Sequence, residues 1–140
     1  VAVLLVDGLY GAPDPGVSIF GTPTGDPQGL TISNDASGNP TIINTSYGYW
    51  MFTVSLRFEF RGYWGTARFE LEASPGRDPV AIAYGHGTSL NESYTVGLTG
   101  IVDGYADPQT SLHVYCDDPS VSVFVKQGYL QVANVGYRPT

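Results

Sequence analysis

From Tyr49 to Arg61 apolar and mixed positions alternate strictly. Trp50, Phe52, Val54, Leu56, Phe58 and Phe60 fall on one side; Tyr49, Met51, Thr53, Ser55, Arg57, Glu59 and Arg61 fall on the other. Successive side chains of an extended chain point to opposite faces, so the pattern predicts one long strand with an apolar face turned to a core. The turn residues Gly62–Gly65 follow. Then Ala67, Phe69 and Leu71 read as inward, and Arg68, Glu70 and Glu72 as outward. Shorter strands are predicted at Val80–Tyr84, Tyr94–Val102, Leu112–Cys116, Val121–Val125 and Tyr129–Val135. Turn chemistry separates them: Ser74-Pro75-Gly76, Gly85-His86-Gly87, Asp103-Gly104, Asp107-Pro108, Asp117-Asp118-Pro119 and Gln127-Gly128. No stretch repeats its apolar residues at the helical period. The fold class is therefore all-β, an antiparallel β-sandwich.

The pattern changes before residue 49. Pro and Gly crowd this region, and brief strands are predicted at Val17–Phe20, Leu30–Ile32 and Thr41–Ile43. Turns such as Gly25-Asp26-Pro27 and Ser37-Gly38-Asn39-Pro40 join them. Residues 1–48 thus read as an extended arm packing along a body or reaching to a neighbour, and residues 49–140 as the body. At 140 residues the whole is one domain. Val1–Val6 is the longest wholly apolar stretch. It falls far short of the about 20 residues a membrane helix needs.

Composition narrows the partners. Net charge is −7, and the 6 basic side chains include no adjacent pair, which disfavours nucleic acid and anionic membrane surfaces. The single cysteine, Cys116, has no intrachain partner and reads as a small buried hydrophobe. The aromatic count, with 10 Tyr, exceeds what a small core requires. Tyr49 and Met51 fall on the outer side of the long strand, and Phe124 alternates with Val123 and Val125. Strands apolar on both faces need a partner on each, and Tyr is enriched at interfaces. Tyr49, Met51, Phe124 and Tyr129 are accordingly the expected contact residues of a self-assembly. The alternative is a monomer whose extra aromatics lie under the arm.

The run Gly48-Tyr49-Trp50-Met51-Phe52-Thr53-Val54 resembles the G-x-Y-x-F-x-V strand of C1q- and TNF-like jelly rolls. Their closing strands are similar to Ser111–Cys116, Ser120–Val125 and Gly128–Ala133, a strand, turn and strand before a last strand that opens with glycine and an aromatic. The likeness covers about residues 41–137. It implies a ten-strand-type jelly roll that assembles as a compact homotrimer, a fold also used by bacteriophage decoration proteins and fibre knobs. The expectation is a non-enzymatic structural protein of a bacteriophage particle surface, either a trimeric capsid decoration or cement protein or a tail or fibre knob. Its partners would be copies of itself and neighbouring virion subunits such as the major capsid protein.

Residues able to do chemistry are few. His86, His113 and Cys116 are too scattered for zinc, and Ser89 lacks the strand–nucleophile–helix setting of a hydrolase. Glu70 and Glu72 share a strand face, as a glycoside hydrolase requires, although a solvated face is the plainer reading. Asp103, Asp107, Asp117 and Asp118 offer oxygens for Ca²⁺ but sit where turns already account for them. No catalytic residue, cofactor or metal is expected. Tyr47, Tyr63 and Trp64, with Tyr49, flank the ends of the long strand as flat rings able to stack on sugars. A carbohydrate-binding module or receptor-binding adhesin domain is the second expectation, its partner a host-surface glycan.

Overall fold

The alternation along the long strand is realised in full. In the computed structural model Trp50, Phe52, Val54, Leu56, Phe58 and Phe60 are all buried, each no more than 5% exposed. Burying a side chain of this size contributes about 1.5–3 kcal/mol, so this strand alone organises much of the core. The structure describes residues 2–11, 30–34, 40–44, 48–73, 78–105, 109–116 and 118–137. Nine strands run through them: β1 (Ala2–Gly11), β2 (Leu30–Asn34), β3 (Pro40–Asn44), β4 (Tyr49–Arg61), β5 (Thr66–Glu72), β6 (Ala81–His86), β7 (Tyr94–Asp103), β8 (Gln109–Cys116) and β9 (Ser122–Gly136).

They form two antiparallel sheets, β1-β9-β4-β7 and β2-β3-β8-β5-β6. The pairs β1 with β9, β3 with β8, β4 with β7 and β5 with β6 are nested, outermost to innermost along the chain. Nested antiparallel pairs distributed over two packed sheets make a jelly roll. Residues 1–48 supply β1, β2 and β3, which enter both sheets at their edges. β2 and β3 include the expected Leu30–Ile32 and Thr41–Ile43, while Val17–Phe20 lies outside the described residues. β1 takes in Ala2–Val6 of the wholly apolar stretch, which carries no alternation and is not among the predicted strands.

The sheets meet through aromatic rings. Phe58 of β4 faces Phe69 of β5 across the sandwich at 5.2 Å between centroids, with Phe60 at 5.5 Å and Tyr94 at 5.9 Å. Gly85 lies under the Phe58 ring, where a Cβ would overlap it, and Gly87 lies under Tyr94 and Phe60. That packing corrects one expected turn. Gly85 and His86 belong to β6, because β5 pairs with them through Ala67 and Thr66, and the chain turns only beyond them.

A second expected turn, Gln127-Gly128, is a bulge inside β9. Arg57 pairs with Gln127 but Phe58 with Val125, leaving Lys126 as the extra residue. Ladders to β4 on one side and β1 on the other hold the strand extended through this point. The irregularity is therefore absorbed without a reversal. Its effect is to switch parity. Val123 and Val125 face the core before it, and Leu130 and Val132 after it, so Tyr129 points outward.

Candidate functional site

The outer face of the four-stranded sheet gathers the residues expected to make contacts. Register sets Ile101, Met51 and Ala133 in one row, Thr99, Thr53 and Gln131 in the next, then Gly97, Ser55 and Tyr129. Ile101 is 57% and Tyr129 48% exposed. Gln127 Nε2 donates to the Tyr129 hydroxyl at 2.5 Å, and Thr53, Ser55, Tyr129 and Gln131 line a shallow depression. Tyr49 and Phe124 lie toward opposite ends of the same face. Tyr49 sits 6.3 Å from the Tyr105 ring, and the Arg61 guanidinium lies over Phe124 at 4.7 Å. At the Phe124 end Glu59 accepts from Arg61 Nε at 2.7 Å and faces Lys126 Nζ at 3.5 Å, and at the other end Asp103 stands beside Tyr49. Against the upward push of burial, these two cations hold the Glu59 carboxyl below its usual range.

The outer face of the five-stranded sheet is built from charge. Register sets Arg68 beside Tyr115, Glu70 beside His113 and Glu72 beside Ser111. Arg68 Nε lies 3.5 Å from Glu70 Oε1, and its guanidinium sits 5.1 Å from the centre of the Tyr115 ring. Tyr115 donates its hydroxyl to Glu72 Oε2 at 3.0 Å. Burial first, then the neighbouring Glu72 carboxylate, pushes the Tyr115 pKa up to about 12. His113, 7% exposed, brings Nε2 to 3.2 Å from Glu72 and 2.8 Å from Ser111 Oγ. Ser111 and Glu72 thus meet the same imidazole nitrogen, while Nδ1 is buried without a hydrogen bond. A nucleophile–base–acid relay needs them on opposite nitrogens. The cluster fixes the β5–β8 pair in place. It brings Glu70 and Glu72, the two carboxylates of the hydrolase pattern, onto one face with those partners. Ser89, by contrast, accepts from the Asn91 amide at 3.2 Å.

The turn between β4 and β5 holds the expected sugar-stacking pair. Gly62 adopts φ +80°, and the Tyr63 amide donates to the Arg61 carbonyl at 3.0 Å, closing a γ-turn that favours glycine. Tyr63 and Trp64 then stack on each other at 4.5 Å and 16°. Tyr47 lies outside the described residues, but its neighbour Gly48 and the turn glycine Gly62 bracket the whole of β4. The long strand therefore separates the Tyr63–Trp64 pair from the Tyr49–Tyr105 pair. Asp118 accepts from the Ser120 amide at 2.9 Å and its hydroxyl at 2.7 Å, and these bonds hold its carboxyl low. Asp103 accepts from the Tyr105 amide at 3.0 Å. Both act as turn residues, and Asp107 and Asp117 lie outside the described residues. Among the described residues no group of three or more His, Cys, Asp or Glu is placed to hold a metal ion.

The adjacent rings of Tyr63 and Trp64 mark that turn in the sequence. The parity switch at Lys126 had no such signal beyond the Gln127-Gly128 pair. The His113–Glu72–Tyr115 cluster joins residues 43 apart in sequence and had none.

No protein-family model matches the chain, and no curated protein does. Among solved structures the chain is similar to the carbohydrate-binding module CBM6cm-2 from Cellvibrio mixtus lichenase 5A in complex with cellotriose. The superposition has a TM-score of 0.40 and 11% identity, and covers 98% of this chain and 100% of that one.

Proposed function

We propose that the chain is a non-enzymatic structural protein that assembles as a homotrimer through the outer face of its four-stranded sheet. The observation that carries this reading is the contrast of that face with its solvent setting. Met51, Ile101, Phe124 and Tyr129 cover it, two of them about half exposed, and its central rows carry no charge. An uncharged patch that mixes exposed apolar side chains with neutral polar ones, with charge at its ends, has the composition of a contact surface. The jelly-roll pairing is the fold that the C1q- and TNF-like resemblance implies, and it supports the trimer on that ground. In this proposal the trimer stands on the surface of a bacteriophage particle, as a decoration subunit or a tail or fibre knob. A net charge of −7 suits a shell piece that leaves nucleic acid alone.

Light scattering at micromolar concentration tests the assembly. The expected mass is three times the 15.0 kDa of one chain, and a monomer would overturn the proposal. Ile101→Glu with Tyr129→Glu should release folded monomers, since burying unpaired carboxylates at a contact is costly. An antibody to the chain should label intact particles; unlabelled particles would remove the virion setting while leaving the trimer standing.

A further inference from the structure

We infer that the outer face of β5 and β6, extended by the β4–β5 turn, binds a neutral oligosaccharide. Three observations place the rings. The Gly87 amide donates to the Gly65 carbonyl at 3.0 Å, which continues the β5–β6 ladder one residue beyond Thr66 and His86. Cβ atoms at Gly65 and Gly87 would point at Val121 and at Phe60 and Tyr94, so these two positions face the core. By alternation Trp64 then faces outward, in line with Thr66 and Arg68. Across the ladder, His86 stands beside Thr66, Tyr84 beside Arg68 and Ile82 beside Glu70.

The result is one strip along the sheet. Trp64, 38% exposed and backed by Tyr63, marks one end, and Tyr84, 64% exposed, lies two rows further on. At an antiparallel rise of about 3.4 Å per residue, four residues separate the rings by roughly 14 Å. Along the same strip lie Thr66 and His86, which can donate and accept, and Arg68, which donates. Thr66 Oγ1 and His86 Nδ1 share a hydrogen bond at 2.8 Å, which orients the imidazole and leaves Nε2 toward solvent without a partner among the described residues.

The alternation of flat ring and hydrogen-bonding group matches the alternation of C–H face and hydroxyl along a sugar chain. Charge complementarity selects a neutral one. Arg68 is matched by Glu70 at 3.5 Å, so the strip carries no net charge to attract a phosphate, sulfate or carboxylate. The Tyr63–Trp64 stack holds the indole before any ligand arrives, which lowers the ordering cost of binding. The strip lies on the opposite side of the sandwich from the face proposed for assembly, so the two proposals stand or fall separately.

The test titrates cellohexaose, xylohexaose and mannohexaose, with their sulfated forms, into the intact protein by calorimetry and tryptophan emission. Trp50 is buried and Trp64 exposed, so a ligand on the strip should move the exposed component. Binding of at least one neutral hexasaccharide is expected, lost in Trp64→Ala and weakened up to about tenfold in Tyr84→Ala, as the loss of one ring contact predicts. Ile101→Glu with Tyr129→Glu should keep the affinity per site. No binding at millimolar sugar, binding of sulfated forms alone, or binding untouched by Trp64→Ala and Tyr84→Ala would each overturn the inference.

Discussion

The two outer faces of this sandwich are built on the same alternation and finish as opposites. On the four-stranded sheet the outward positions of β4, β7 and β9 carry Met51, Thr53, Ser55, Ile101, Tyr129 and Gln131, and few of these groups satisfy one another. On the five-stranded sheet the outward positions of β5 and β8 carry Arg68, Glu70, Glu72, Ser111, His113 and Tyr115, and they bind one another. Polar groups paired internally, as they are along β5 and β8, are complete by themselves, while the β6 side of that sheet keeps exposed side chains such as Ile82 and Tyr84. A face with exposed apolar groups, such as Ile101 and Tyr129, gains by acquiring a partner. The difference teaches that a strand's inward half builds the fold, while its outward half is free to be spent on structure or on contact.

Breaking the shared core should harm both faces equally and most severely. Phe58→Ala empties the ring cluster between the sheets and should cost about 3–5 kcal/mol, read from the guanidinium midpoint. Next comes a substitution that separates the faces. Glu72→Leu strips both Tyr115 and His113 of their acceptor and should cost about 1–3 kcal/mol, whereas Thr53→Val on the other face should stay within about 0.5 kcal/mol. Equal losses at the two positions would erase the distinction drawn between them.

A pH scan sharpens it further. With Tyr115 folded at about 12 against an unfolded value near 10, both forms are protonated below about pH 10 and the contribution is whole. Between about pH 10 and 12 the unfolded chain ionises first, so stability falls as pH rises. Tyr115→Phe should flatten that part of the denaturation profile, and an unchanged slope would show that the hydroxyl plays no part. The smallest effect is expected inside the core itself. Thr110 is fully buried with no hydrogen bond to its hydroxyl, so Thr110→Val should be neutral or raise stability by up to about 1 kcal/mol. A clear loss in thermal melting would mean that the hydroxyl has a partner in solution.

Much of the fold was legible. Each inward residue read from β4 and from Ala67, Phe69 and Leu71 is buried, because the period of two follows from backbone geometry and needs no knowledge of neighbours. Less legible was anything that depends on pairing. Gln127-Gly128 has turn chemistry, yet ladders on both sides keep β9 extended, and the one-residue bulge at Lys126 reverses the parity after it. An unbroken strand carrying Val123 and Val125 inward would have turned Tyr129 to the core as well. Likewise Trp64 and Tyr84 sit on different strands, and only the β5–β6 register places them on one strip.

The sequence by itself determined the all-β class, the long central strand, and which side chains of β4 and β5 enter the core. Local sterics and hydrophobic burial act residue by residue, and they leave a periodic trace. Tertiary structure alone decided the nested order of the strands, the outward turn of Tyr129, and the union of His113, Glu72 and Tyr115. Those depend on hydrogen bonds between segments far apart in the chain, and no local pattern encodes which segment will pair with which.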